Sequence, residues 1–307
     1  MQSHPDHNLK LMFRFFHFYT AKLLYPLFST PIETAKFMSL FYANIIVVMT
    51  YLTGRFVSIN SAFFATVFVM FNPTLLYQST WFGTDLSMTA LGLLSMFFYF
   101  TYLKYKHKTL IMLSGFFLIA SIFSKQTGIV FSLPIIILIS MNSLNNKNNL
   151  FSSLVFLTLG GALCLLYISL CSLIFNNDFF YFINPQTYLE FLERFDNQLT
   201  NDSIKKIKKM PTYLDSLINT SPISILYFIG SIFGCTFLAL SQIWNFQHNL
   251  ITKNVIMFTF ILFLSVLFLH EIFHISFYGL RLHPRYLLPT QICVAITFGV
   301  LISLYKF

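Results

Sequence analysis

Long apolar runs separated by short polar breaks dominate this 307-residue chain. A helix needs about 20 mostly apolar residues to cross the hydrocarbon core of a bilayer, and about nine runs approach that length. They lie at residues 34–53, 60–79, 84–103, 110–124, 127–141, 149–175, 223–243, 254–270 and 287–304. The pattern therefore predicts an all-α integral membrane protein, a polytopic helical bundle with about nine transmembrane helices.

Two segments interrupt this pattern. The stretch 9–28 is apolar overall but carries basic side chains and His17 at spacings that a simple spanning helix does not favour. We therefore predict an interfacial helix within an N-terminal segment, residues 1–33. The longest loop, residues 176–222, contains aromatic and charged clusters and is predicted to form an outer subdomain with short helices. Residues 1–307 as a whole are predicted to form a single polytopic membrane domain.

Composition supports a lipid environment. Hydrophobic residues make up 56% of the chain and charged residues 9%, which is more apolar surface than a soluble core of this length can hide. The lipid bilayer is therefore the expected partner of this surface. The net charge of +9 does not indicate nucleic acid, because Lys and Arg lie in short loops between apolar runs, where they orient helices. The four cysteines lie in apolar segments without a Cys-x-x-Cys pairing, so they predict neither a disulfide framework nor a thiolate metal site.

The charged residues separate between the two sides of the predicted bundle. When the loops are assigned alternately, one side carries no Asp or Glu, and the positive-inside rule assigns that side to the cytoplasm. Its basic residues are Arg55, Lys104, Lys106, Lys108, Lys147, Lys253 and Lys306. The opposite side holds all ten acidic residues of the chain, together with Lys125 and Arg285. We therefore expect the functional groups on the periplasmic or lumenal face.

Four polar clusters lie at predicted helix ends on that outer face, at residues 3–6, 72–85, 124–128 and 281–289. Their order and residue types resemble the GT-C glycosyltransferases, in the branch of protein O-mannosyltransferases and lipid A aminoarabinose transferases that use polyprenyl-phosphate sugars. The resemblance covers most of the chain. The matching positions are His4 with Pro5, Gly54 with Arg55, Asn72 with Pro73, Asp85, Lys125 with Gly128, and Arg285 with Tyr286 and Pro289.

The resemblance implies a GT-C-like bundle that transfers a sugar from a polyprenyl-phosphate donor to a lipid, glycan or protein acceptor. A departing lipid phosphate carries negative charge near the membrane surface, where cationic side chains stabilise it. We expect Lys125 and Arg285 to bind this phosphate. A carboxylate at a helix start can orient or deprotonate an acceptor hydroxyl, which makes Asp85 the expected catalytic residue. The resemblance also implies that His4 and Tyr286 bind the donor substrate. The reaction is expected to need no cofactor.

Each of the three charged residues also has a structural interpretation. Asp85 could cap the N-terminus of its helix, with Thr84 beside it. Lys125 could extend towards lipid headgroups, and Arg285 could anchor an interface.

The chain departs from the family pattern near its N-terminus. The family's first spanning helix and the principal catalytic Asp of its first outer loop have no match here, and Ser3 stands where the family has an acid. Asp6 lies beyond the Pro, so the family's catalytic role does not transfer to it. We therefore expect an N-terminally shortened or a degenerate copy.

A second motif points to different chemistry. The run from His270 through Glu271 to His274 fits H-E-x-x-H, in which two His on one helix face ligate zinc and the Glu activates water. No Asp or Glu follows to supply a third ligand, and His283 is the nearby substitute. We therefore expect His270, Glu271 and His274 to line an outer vestibule and to contact sugar or phosphate. An intramembrane zinc metalloprotease, with His270 and His274 as ligands, is the alternative.

A membrane transporter is a third class of interpretation. Ion-coupled carriers place charges or interrupted helices near the bilayer midplane, whereas nearly every charge here falls at a predicted helix end. The sequence thus favours a multi-pass membrane glycosyltransferase. We expect it in a bacterial inner membrane, or in the endoplasmic reticulum membrane if the chain is eukaryotic.

Overall fold

The computed structural model describes residues 14–80, 83–142, 147–181, 250–276 and 288–304, and every regular element within these ranges is helical. The helices, numbered along the described chain, are α1 (Phe15–Leu24), α2 (Pro31–Arg55), α3 (Ile59–Met70), α4 (Pro73–Ser79), α5 (Thr84–Tyr105), α6 (Lys108–Ser124), α7 (Ser132–Asn142), α8 (Lys147–Asn176), α9 (Leu250–Ser276) and α10 (Leu288–Leu304). Two 3-10 helices, Tyr25–Leu27 and Gln126–Phe131, follow α1 and precede α7.

Helices α2, α5 and α8 are long and apolar enough to cross a membrane. Helices α6 and α10 are apolar but shorter. Large hydrophobic side chains also project from the bundle surface, and Leu27, Phe71 and Phe151 are each more than 70% exposed. Because water does not favour such a surface and lipid does, these features indicate a membrane protein. The predicted span 223–243 and residues 182–222 of the predicted outer loop 176–222 lie outside the described residues.

The predicted span 60–79 is not one continuous helix: it consists of two helices, α3 and α4, which together are apolar enough for a span and are bent by 59° at the break between them. Pro73 has no backbone N–H and disfavours helical geometry at the residue before it, so the helix breaks at Asn72. The Asn72 side chain then accepts hydrogen bonds from the backbone N–H groups of Thr74 (2.8 Å) and Leu75 (3.1 Å) and starts α4. The Asn-Pro pair therefore sets the bend between α3 and α4.

Helix α5 lies at the centre of the bundle and packs against α2, α6 and α9. Two serines join α5 to α6: the Ser95 hydroxyl donates to the Ser114 carbonyl (2.7 Å), and the Ser114 hydroxyl donates to the Ser95 carbonyl (2.9 Å). Both residues are fully buried, so the reciprocal bonds satisfy hydroxyls that lipid could not.

Ring and hydroxyl contacts show which parts of the neighbouring helices meet. The ring of Phe56, which follows α2, lies 5.8 Å from that of Phe97 and 6.0 Å from that of Phe100, so the end of α2 lies beside the second half of α5. The hydroxyls of Tyr102 and Ser153 are 2.9 Å apart, which places the start of α8 beside the end of α5. We call the end where α5 begins the acidic end, and the end with Lys104, Lys106 and Lys108 the lysine end.

The N-terminal helix α1 docks against α6 and α8 near the acidic end. The Tyr19 hydroxyl lies 2.7 Å from the Ser172 hydroxyl, and the Asn176 amide donates to Tyr19 at 2.7 Å. Phe15 and His17 of the same helix are buried. The polar side chains of Tyr19 and His17 are therefore part of the packing of α1 against the bundle.

Candidate active site

Asp85 and Lys125 form an ion pair at the acidic end of the bundle. Their side chains are only 7% and 12% exposed, respectively. They are separated by 40 positions in sequence, so only the packing of α5 against α6 brings them together. A buried carboxylate and a buried ammonium are each costly alone, and their mutual neutralisation makes this arrangement tenable.

Asp85 occupies the first turn of α5 but does not cap it. The N-cap position belongs to Gly83, and α5 begins at Thr84. The positive end of the helix dipole favours a carboxylate in this turn, and the Lys125 ammonium adds a second cationic partner. Asp85 is thus the second residue of α5 rather than its N-cap residue.

Lys125 follows the last residue of α6 and has an extended backbone (φ −163°, ψ 133°). Its backbone N–H donates to the Ser121 carbonyl (3.1 Å), and its own carbonyl accepts from the Gly128 N–H (2.8 Å). A Cβ on Gly128 would lie 2.6 Å from the Ser121 carbonyl oxygen. The absent side chain therefore lets the Gln126–Phe131 helix fold tightly against α6 and hold Lys125 in place.

A further pair of contacts ties this turn to α5. The Ser121 hydroxyl donates to the Met88 carbonyl (2.8 Å), and the Thr127 hydroxyl lies 3.1 Å from the Met88 sulfur. Met88 is one helical turn beyond Asp85, so these bonds align the end of α6 with the start of α5. Nothing in the residue types singled out Ser121 or Met88 beforehand, although Ser121 precedes Lys125 by one helical turn.

Ser124 is the buried last residue of α6 and precedes Lys125 in the sequence. It is fully inaccessible, and its hydroxyl has no hydrogen-bond partner among the described residues. Burying a hydroxyl without a hydrogen-bond partner lowers the stability of the fold. Position 124 nevertheless carries a polar side chain, directly before Lys125.

The other motif residues have separate positions in the fold. Asn72 is buried at the start of α4, where its capping bonds account for its side chain. Gly54 lies near the end of α2, where a Cβ would come within 2.6 Å of the Ala62 Cα, and Arg55 follows it at the lysine end. Gly54 therefore has a packing role between α2 and α3, far from the ion pair.

Several predicted site residues fall outside what the structure describes. His4, Arg285 and Tyr286 lie outside the described ranges. His270, Glu271 and His274 belong to the continuous backbone of α9, but their side chains are not among those described. Asp85 and Lys125 are thus the predicted site residues that the structure brings together.

No protein-family model and no curated protein sequence matches this chain.

Proposed function

We propose that this chain is a multi-pass membrane glycosyltransferase of the GT-C type, which transfers a sugar from a polyprenyl-phosphate donor to a lipid, glycan or protein acceptor. The observation that carries the proposal is the buried ion pair between Asp85 and Lys125. Both residues were selected from the family resemblance, and they meet at one end of a bundle of apolar helices. The full proposal includes about nine membrane spans and a site on the periplasmic or lumenal face.

Exchange of partners gives the ion pair a chemical role. The anionic phosphate of the donor competes with Asp85 for Lys125, and its arrival frees the carboxylate at the moment the donor binds. Asp85 then accepts the proton of the acceptor hydroxyl as that oxygen bonds to the anomeric carbon. The bond from the anomeric carbon to the phosphate oxygen breaks, and the lipid phosphate leaves paired with Lys125.

The transfer test uses the full chain in proteoliposomes with a radiolabelled polyprenyl-phosphate sugar. We expect Asp85→Asn and Lys125→Met each to lower transfer by about 100-fold or more, the usual contribution of a positioned acid–base group. Matched controls are Asp178→Asn, a half-buried acid beyond α8, and Lys36→Gln, an exposed lysine on α2. Both controls should retain transfer.

The double variant Asp85→Asn/Lys125→Met separates chemistry from folding. Each single change leaves the opposite charge buried alone and should lower the free energy of unfolding by about 3–5 kcal/mol, whereas the double change removes both charges and should recover most of that loss. A stable double variant without transfer supports the proposal. A stable double variant with parental transfer would show that the pair is structural only.

The zinc protease and the transporter predict different results in the same preparation. The protease predicts stoichiometric zinc that is lost in His274→Ala, because His270 and His274 lie four residues apart within α9. The transporter predicts solute uptake into proteoliposomes without covalent transfer. Either result, together with absent sugar transfer, would replace the glycosyltransferase proposal.

A further inference from the structure

A cavity of about 340 Å³ opens at the lysine end, between the end of α5, the start of α6, the end of α7 and the start of α8. Lys106, Lys108 and Tyr102 are among the residues that line it. Its volume falls in the range of small-molecule sites, about 300–1,000 Å³. It lies about 30 Å from Asp85 along α5, since an α-helix rises about 1.5 Å per residue. The cavity is therefore separate from the ion pair.

The lining combines cations with hydroxyl and amide groups. The ammonium groups of Lys106 and Lys108 lie 5.6 Å and 5.0 Å from the ring centroids of Tyr102 and Phe156, so aromatic faces support both side chains at the cavity. The Tyr102 hydroxyl adds a polar group 2.9 Å from the Ser153 hydroxyl. Neither Asp nor Glu is among the residues that line the cavity in the described part of the chain.

An amide network forms the inner wall. The Asn142 amide nitrogen lies 3.1 Å from the Tyr99 hydroxyl and donates to the Asn254 side-chain oxygen at 2.8 Å. Asn142 and Tyr99 both line the cavity. These bonds join α7, α5 and α9, so the polar wall is held by three helices rather than by a loop.

The backbone at the mouth of the cavity favours an anion. Lys106 ends α5 in the left-handed region, with φ 60°, where a residue other than Gly or Asn costs about 1–2 kcal/mol. Two residues later α6 begins, and its N-cap residue His107 makes no side-chain capping bond within the described structure. The positive dipole end of α6 therefore adds to the charge of the two lysines.

We propose that this cavity is a binding site for a phosphate group. Two ammonium groups, neighbouring hydroxyls and a helix N-terminus supply charge and hydrogen-bond donors to phosphate oxygens, and no lining carboxylate competes for them. The phosphate belongs either to an anionic lipid headgroup or to a phosphorylated solute. The lysine end of α5 lies where the apolar run stops, which is the level of lipid headgroups in a spanning helix.

The binding test uses the purified full chain in a phosphate-free maltoside detergent. One arm titrates inorganic phosphate at constant ionic strength, with acetate as the comparison anion, and follows thermal stability. The other arm adds phosphatidylglycerol, with diacylglycerol as the neutral comparison, and counts retained lipid by native mass spectrometry. Binding in the first arm identifies a soluble phosphate, and binding in the second arm alone identifies a lipid headgroup.

The variants test whether the cavity is responsible. Lys106→Asn/Lys108→Gln removes both charges and retains a residue that accepts the left-handed backbone, so we expect binding to weaken by about tenfold or more. Tyr102→Phe removes one hydroxyl and should weaken binding about fivefold. The matched control is Lys104→Gln, an exposed lysine on the same helix that is not among the lining residues and should leave binding unchanged.

Three results would overturn the proposal. They are the absence of binding in both arms, equal binding of the comparison compounds acetate and diacylglycerol, and a loss in Lys104→Gln as large as that in the double variant. The first result would show that the cavity binds no phosphate group, and the other two would show that any binding is not specific to phosphate at this cavity.

Discussion

Burial changes the role of individual polar residues in this protein. Asp85 and Lys125 are nearly inaccessible and neutralise each other, so both charges are kept in a setting where either one alone would be destabilising. His17 is 1% exposed on α1, with its ring 6.0 Å from that of Tyr42. His17, a residue that the sequence pattern did not favour within a simple spanning helix, is therefore part of the contact between α1 and α2.

We predict an acid-sensitive contact at His17. The pKa of His17 is lowered from 6.5 to about 3, mainly because the side chain is buried and to a smaller extent because of the positive charge of Arg14. Between pH 3 and pH 6.5 the unfolded chain therefore binds a proton at His17 that the folded chain does not bind. The contribution of the neutral, buried His17 to the free energy of unfolding is complete above pH 6.5 and is lost as the pH falls towards 3. The free energy of unfolding should fall by up to about 1.4 kcal/mol per pH unit in this window.

Thermal unfolding of the full chain between pH 7 and pH 4 checks this prediction. His17→Leu fills a similar volume without a titrating group, so its stability should decline less steeply than that of the parent chain. Carboxylates titrate in both proteins and cancel in the comparison. Parallel pH profiles would contradict the prediction.

At the scale of helices, small residues decide how closely two elements approach. A Cβ on Gly160 of α8 would lie 1.8 Å from the Met112 carbonyl oxygen, and one on Gly115 of α6 would lie 1.9 Å from the Leu157 carbonyl oxygen. The backbones of α6 and α8 are therefore in direct contact at two places. In lipid, where apolar burial gives little drive for association, such close packing is a main source of helix pairing.

The neighbouring glycines of α8 give a matched prediction about this contact. Gly160→Ala should lower the free energy of unfolding by about 1–3 kcal/mol, because the new methyl group meets backbone that cannot move independently. Gly161→Ala meets the side chain of Ile119 at 2.9 Å, which can change rotamer, and should have a smaller effect. Denaturation in detergent measures both. Equal losses in the two variants would show that helix propensity or general crowding, rather than the contact with Met112, controls stability.

Over the whole molecule, charge and position are correlated. Within the described residues, Glu33, Asp85 and Asp178 lie towards the acidic end, and Arg55, Lys104 and Lys253 lie towards the lysine end. The ion pair and the cavity are thus at opposite ends of α5. This separation gives the bundle two chemically distinct ends, one with paired charges of both signs and one that is cationic.

We predict that the two ends face different compartments. Thr80→Cys, exposed just before α5, and Lys104→Cys, exposed near its end, should react with an impermeant thiol reagent from opposite sides of sealed membrane vesicles. The positive-inside rule assigns Lys104 to the cytoplasmic side. The parent chain serves as the control for its native cysteines. Labelling of both variants from the same side would contradict the proposed arrangement.

The helices themselves could be predicted because their signal is local. The predicted segments 84–103 and 110–124 correspond closely to α5 and α6, since a sustained apolar run satisfies its own backbone as a helix regardless of its neighbours. The prediction of a span at 60–79 did not include the bend at Pro73, because the apolar run continues on both sides of the proline. The bend follows from Pro73, because a proline interrupts a helix even where the surrounding residues are hydrophobic.

The sequence alone determined that this chain is helical, apolar and suited to a membrane, because composition and run length act residue by residue. The tertiary structure decided which polar groups meet. Asp85 and Lys125 pair only because α6 returns beside α5 and Gly128 allows the turn after it to close. The lysine cavity likewise arises where four helix ends converge. Such meetings depend on packing between distant segments, which no local pattern encodes.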